Sequence, residues 1–182
     1  MKVISGKLKG RVIKGFDISG TRPTMDRVKE SIFGMIQNYV NSSTALDLFS
    51  GSGNYGIECI SNGASLVYFN DKNKKCIDVI KSNLENFNIL ENSILTNMDY
   101  REALSYYKNR NIKFDLIFLD PPYKEKIIND ILFNIENNNL LNKNGLVICE
   151  LIKKEDYISD KLILFKERKY GDKIVLIYKL DH

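Results

Sequence analysis

From residue 44 onward, short apolar runs at 44–49, 66–70, 93–97, 114–119 and 145–150 alternate with stretches of helical periodicity near 54–62, 73–87, 100–109 and 124–137. Apolar runs of this kind, each followed by an amphipathic helix, close as a largely parallel, doubly wound sheet with helices on both faces. The end of the chain breaks the rhythm. Runs 162–168 and 173–180 are joined only by Lys169, Tyr170, Gly171 and Asp172, and a parallel crossover needs roughly a dozen residues, so the last two strands are expected to form an antiparallel hairpin. Near the start, Val3, Ile4 and 11–13 are short extended candidates and 15–23 reads as a loop. Thr24 is expected to cap a helix that runs to about Tyr39, with Val28, Ile32, Met35, Ile36 and Tyr39 on one face. The chain of 182 residues therefore reads as one α/β unit over 41–182, with 1–40 as a basic N-terminal extension whose helix packs on it.

Several classes of chemistry are unexpected. No apolar run approaches the roughly 18 residues of a membrane span, and Met1 to Lys7 lack the apolar stretch of a signal peptide, so a cytoplasmic protein with no membrane partner is expected. Cys59, Cys76 and Cys149 are odd in number and lack C-x-x-C spacing, which favours buried thiols over disulfides or zinc ligands. The only histidine is His182, the last residue. Nucleophile–imidazole pairs and histidine metal sites need a rigidly held ring, and termini fray, so no metal is expected. The net charge of +4 is concentrated at one end, where Lys2, Lys7, Lys9, Arg11, Lys14 and Arg22 face only Asp17. A basic arm beside a near-neutral body fits a polyanion binder, with Lys7, Lys9, Arg11 and Arg22 as candidate RNA contacts; a solvated surface is the plain alternative.

Residues 45–56 run from a strand through a glycine turn into a helix. Gly51 and Gly53 leave room for a ligand against the backbone, and Asp71, ending the next strand, can accept from both ribose hydroxyls of an adenosine. Gly51, Gly53 and Gly56 also satisfy the dinucleotide pattern G-x-G-x-x-G. Asp47 tilts the choice of cofactor: a carboxylate there repels a pyrophosphate but attracts the ammonium and sulfonium of S-adenosylmethionine. Phe49 belongs to the same expected pocket, and a tight turn without a ligand is the structural alternative. Asp99, closing the third strand, can accept from an adenine amino group beside Met98 or Tyr100, or it can simply cap the next helix.

Asp120, Pro121, Pro122 and Tyr123 follow the buried run 114–119, at the sheet edge where open α/β sheets bind ligands. Two prolines make a rigid extended corner that can present the Asp120 carboxylate and the Pro121 carbonyl as paired acceptors for an exocyclic amine. Tyr123 offers a face for stacking the base, which must leave its own stack to reach the pocket. These four are the expected catalytic residues. Attack on a sulfonium needs no strong base, so positioning and electrostatics would carry catalysis.

Taken together, these motifs resemble the bacterial small-subunit (16S) ribosomal RNA guanine-N2 methyltransferases of the RsmD type. The resemblance lies in residues 4–13, in 22–33 above all, in 47–53, in 120–123 and in 170–172. It implies a Rossmann-like class I methyltransferase with a seven-stranded sheet, S-adenosylmethionine as cofactor, and transfer to a guanine N2 of 16S rRNA in the small subunit or its assembly intermediate. It also implies that Arg22, Thr24, Asp26 and Arg27 lie near the pocket, Arg22 and Arg27 among the RNA contacts, and a monomer is expected. Asn54 and Tyr55 depart from the small residues expected after the glycine turn. Adenine-N6 methylation of DNA or RNA also uses an Asp-Pro-Pro-Tyr corner, and an NAD-dependent oxidoreductase would account for the glycines and Asp71 but not for that corner or the basic arm.

Overall fold

The computed structural model describes residues 1–15, 22–122, 127–154, 157–159 and 161–181, with the side chains of 22–24 outside that description. The apolar runs form strands because their residues are shielded on both faces. Along β4 (Phe114–Leu119) every side chain but Asp115 is buried, and β1 (Thr44–Asp47), β2 (Leu66–Asn70) and β5 (Leu141–Leu151) are nearly as enclosed. Each Leu, Ile, Val or Phe so placed contributes about 1.5–3 kcal/mol relative to exposure. With β3 (Ser93–Thr96), β6 (Leu162–Tyr170) and β7 (Lys173–Leu180) they make a seven-stranded sheet in the order β3-β2-β1-β4-β5-β7-β6. β1 to β5 are parallel, while β7 runs antiparallel to both β5 and β6. The expected hairpin closes through Gly171 and Asp172 alone, because Lys169 and Tyr170 extend β6 and pair with Ile174 and Lys173.

Helices cover both faces. α1 (Arg22–Val40), α2 (Asn54–Ser61) and α3 (Lys74–Asn86) lie over one, where Val28, Ile32 and Ile36 meet Ile57, Ile60 and Ile80. α4 (Tyr100–Asn109) and α5 (Ile128–Asn137) cover the other, where Leu104 and Tyr107 meet Ile131 and Leu132. The N-terminal segment belongs to the first core, contributing Val3, Leu8 and Ile13. It folds back through an antiparallel bridge between Lys2 and Val12, with Val3 N donating to Arg11 O at 2.9 Å.

Several element boundaries depart from expectation, among them the ends of β1 at Asp47 and of β6 at Tyr170. α1 begins at Arg22, so Thr24 lies inside the helix and is not its cap. Pro23 is tolerated in the first turn because amides there have no intrahelical acceptor to lose. β5 starts at Leu141, four residues earlier than its apolar core, through an irregular register between Phe114 and Leu116 on its neighbour. The polar residues Asn142, Lys143 and Asn144 masked that extension.

Candidate active site

Strand order reverses between β1 and β4, where β1 has β2 on one side and β4 on the other. Crossovers leave in opposite directions at such a point and open a crevice at the C-terminal ends of the strands. The glycine turn sits there. Leu48 N still donates to Phe118 O at 3.2 Å, after which Ser50 N bonds Asn70 O (2.9 Å) and Gly53 N bonds Ser50 O (2.7 Å). Gly51 and Gly53 take φ of 54° and 83°, in the left-handed region that glycine enters without strain. A side chain on Gly51 would meet nothing within 4 Å, so its outer side is open to a ligand. Gly56 has a different role, because a Cβ there would fall 2.2 Å from Phe69 Cε1. The third glycine lets α2 lie close on β2.

Carboxylates gather around this turn. Asp47, 2% exposed at the end of β1, accepts from Gly56 N at 3.1 Å. Burial raises its pKa to about 7, against the relief given by the Gly56 amide, and Asp71 raises it further. Among the described residues no cation is paired with it. Asp71 accepts from Gly51 N (3.0 Å) and Asn73 N (2.8 Å), which ties the glycine turn to the start of α3. This buried, unneutralised charge beside open backbone fits a cationic ligand, as the sulfonium and ammonium of S-adenosylmethionine require. Asp47 would hold that group, with Gly51 giving it room, while Asp71, the expected ribose acceptor, takes the Gly51 and Asn73 amides.

Phe49 points to the other core and packs against Tyr100 with ring centres 5.9 Å apart. Asp99 caps α4, accepting from Arg101 N at 3.0 Å while Asp99 N donates to Glu102 Oε2 at 3.3 Å. The capping alternative is therefore realised; it engages Asp99 Oδ1 and is compatible with a further acceptor role for the other oxygen.

Asp120 and the buried Pro121 follow β4 directly. Asp47 pairs with Phe118 in register, so Asp120 lies two residues beyond, on the same face of the sheet. The corner and the glycine turn thus share one crevice. Tyr123 lies outside the described residues, as do residues 124–126. Burial holds the Asp120 carboxyl well above the usual carboxylate range; Glu150 pushes it up further, Lys173 pulls it down and Asp47 raises it.

Glu150 was not singled out from the sequence. Leu119 pairs with Cys149, which sets Asp120 and Glu150 side by side on adjacent strands. Glu150 accepts from the Tyr55 hydroxyl and from Lys173 Nζ. The Tyr55 ring stacks on Phe118 at 5.3 Å, with the planes 11° apart. One signal was available: Asp47, Asp71, Asp120 and Glu150 all stand at the C-terminal ends of apolar runs. A second missed group is the buried pair Lys29–Glu58, 3.0 Å apart and 0% exposed on both sides. Glu58 also accepts from Ile4 N, Ser5 N and Ser5 Oγ, and Lys29 donates to Lys2 O and Asn54 Oδ1. The pair locks the N-terminal segment to α1 and α2, beside the glycine turn.

Of the candidate RNA contacts, Lys7, Lys9 and Arg27 are exposed, whereas Arg22 has no described side chain. Arg11 is also exposed, but its guanidinium donates to Asn86 O at 2.8 Å and lies 4.8 Å over the Phe87 ring. Among the described residues no helix is long and apolar enough to cross a membrane.

The fold, with the relatives that follow, is that of an α/β methyltransferase. A family model described as Conserved hypothetical protein 95 matches residues 1–179, and the chain belongs to that family. It is 38% identical over 182 residues to a putative rRNA methyltransferase, YlbH, of Bacillus subtilis, covering 98% of each chain. It is 33% identical to the ribosomal RNA small subunit methyltransferase D of Buchnera aphidicola, covering 94% of this chain and 88% of the relative. A solved structure of the putative methyltransferase yhhF from Escherichia coli matches with a TM-score of 0.86 over 100% of this chain and 98% of that one. Its 21% identity speaks for the fold alone.

Proposed function

We propose that this protein transfers the methyl group of S-adenosylmethionine to the exocyclic N2 of a guanine in 16S rRNA. It works in the cytoplasm, as a monomer, on the small ribosomal subunit or an assembly intermediate of it. The observation that carries the reading is the shared crevice: Asp120 stands two residues beyond the Asp47 register position, followed by Pro121, at the strand end where Gly51 leaves its outer side open. When bound, S-adenosylmethionine supplies an electrophilic methyl on a positively charged sulfur. The chain's own residues do the rest. Asp120 and the Pro121 carbonyl accept the two amine hydrogens, so the nitrogen lone pair leaves conjugation and is held in line for attack. Asp47 holds positive charge at the glycine turn, and Asp71 accepts from the ribose hydroxyls. Pro121 offers no N–H that could compete for the acceptors. The relatives named as ribosomal RNA small subunit methyltransferases support this substrate, and the exposed Lys7, Lys9 and Arg27 supply cations for phosphates.

The test is incubation of the protein with labelled S-adenosylmethionine and small subunits that lack the modification, followed by nucleoside analysis. Labelled N2-methylguanosine is expected, and Asp120→Ala is expected to lose it by about 100- to 1000-fold, the scale on which preorganised hydrogen-bonding groups act. Label in N6-methyladenine instead would move the acceptor to adenine. Thermal stabilisation by NAD and not by S-adenosylmethionine would overturn the class.

A further inference from the structure

Lys173 stands at the first position of β7 and reaches Glu150 at the end of β5; its side chain is 16% exposed and that of Glu150 5%. Glu150 in turn stands beside Asp120 across the β4–β5 ladder. Two adjacent, desolvated carboxylates do not both ionise unless a cation is held against them, since like charges at this range force a proton onto one of the pair. A protonated Asp120 would turn an O–H toward the amine that it must accept from. We propose that Lys173 is a positioning residue for methyl transfer: through Glu150 it keeps the Asp120 carboxylate ionised and in its acceptor state, with Tyr55 fixing Glu150 from the other side. This rests on the reading of Asp120 as the amine acceptor.

The charged and titratable groups around the pair are few among the described residues. β1 contributes Asp47, a further negative charge, and α2 contributes the Tyr55 hydroxyl, itself raised well above its ordinary range, first by burial and then by Glu150. β7 contributes Lys173. α1 packs its Phe33 ring on Phe118, 5.9 Å away. Its described charges are Asp26, Arg27, Lys29 and Glu30, of which Lys29 is committed to Glu58 and Arg27 and Glu30 are exposed. On β6 the Tyr170 hydroxyl is bonded to Ser31 Oγ. The group that draws Asp120 downward is Lys173, against burial, Glu150 and Asp47. Arginine or lysine would serve here, because what the site takes from the residue is a fixed positive charge.

The experiment measures kcat/KM for methyl transfer to small subunits from pH 6 to 9, with the wild type, Lys173→Met, Lys173→Arg, the double variant Lys173→Met/Glu150→Gln, and Asp120→Ala. Loss of the cation is expected to move the acidic limb of Lys173→Met upward by about one pH unit or more, so that activity at low pH falls roughly tenfold and recovers near pH 9. Lys173→Arg is expected to keep the wild-type limb. In the double variant the like charge beside Asp120 is gone as well, and the limb is expected to return toward its original position. A lower Tm in Lys173→Met with an unmoved limb would overturn the proposal, as would a double variant with the limb of Lys173→Met. Asp120→Ala separates the two levels: full activity in that variant would remove Asp120 as acceptor and the proposed site with it, whereas an inactive Asp120→Ala beside an unmoved Lys173→Met profile would sink the role of Lys173 alone.

Discussion

Glu58, within α2, and Asp47, which accepts from an α2 amide, are both buried carboxylates, yet the protein treats their charges in opposite ways. Glu58 is met by Lys29 at 3.0 Å and by two backbone amides and a hydroxyl from the N-terminal segment. Asp47 has the Gly56 amide and a second carboxylate, Asp71, in its field. The first charge is complete without any ligand and holds chain segments together. The second destabilises the free protein and would become favourable if a cation were held beside it. Where burial is compensated from within, a charge is structural; where it is left uncompensated beside open backbone, it marks a binding site.

The largest effect is expected where the compensated charge is broken. Lys29→Met leaves Glu58 buried without its cation and should cost about 3–5 kcal/mol, read as a fall in Tm of roughly 6–20 °C for a chain of this size. Adding Glu58→Gln should restore part of that loss. A Lys29→Met protein as stable as the wild type would end the distinction between the two sites.

Asp47→Asn should act in the opposite direction. The folded-state pKa of Asp47 is about 7 against an ordinary 3.8, so the native state holds the proton more tightly than the unfolded chain does. The cost of ionising it therefore grows from about pH 4 upward and is complete above about pH 7. The amide removes that cost, and the variant should gain about 2–4 kcal/mol at pH 8 and nothing at pH 4, seen in thermal melts at the two pH values. The same change should weaken S-adenosylmethionine binding at least about tenfold by calorimetry. For the wild type that affinity should decline as pH falls below about 7, since binding must then expel a proton. A variant that gains stability and keeps its cofactor affinity would remove Asp47 from the site.

Gly56→Ala probes the packing that brings the Gly56 amide to Asp47. Its Cβ would fall 2.2 Å from the Phe69 ring, and the forced shift should cost about 1–3 kcal/mol, with relief when Phe69→Leu is added. The smallest effect belongs to the surface. Arg11→Ala should lower stability by no more than about 1 kcal/mol, because its contacts are exposed. If Arg11 also meets a phosphate, the slope of RNA affinity against salt should drop by about 1; an unchanged slope would assign Arg11 to packing on Phe87 alone.

Much of this site was legible as stations along the chain. The glycine turn, Asp71, Asp99 and the Asp120–Pro121 corner each follow an apolar run, Asp47 lies within one, and the sheet places each at a C-terminal strand end. Glu150 stands at the same kind of station and was passed over because no motif surrounds it. Lys29 was hidden differently, since it sits beside the apolar face of α1 formed by Val28, Ile32 and Ile36, where a lysine reads as a boundary residue. Its burial depends on Glu58, and the Glu58 cradle depends on a chain reversal at residues 2–12. Neither is a local property.

The sequence by itself determined the parallel sheet, the antiparallel closing hairpin, the glycine turn and the rigid proline corner. Each follows from side-chain periodicity, backbone freedom or connection length within a few neighbouring residues. Only the tertiary structure decided which strand ends became neighbours, and so which charges meet. Strand order set Glu150 beside Asp120 and brought Lys173 to it, and the folded N-terminal segment enclosed Lys29 with Glu58. Such pairings arise from packing distant segments, and the energy of a charge is fixed by what encloses it.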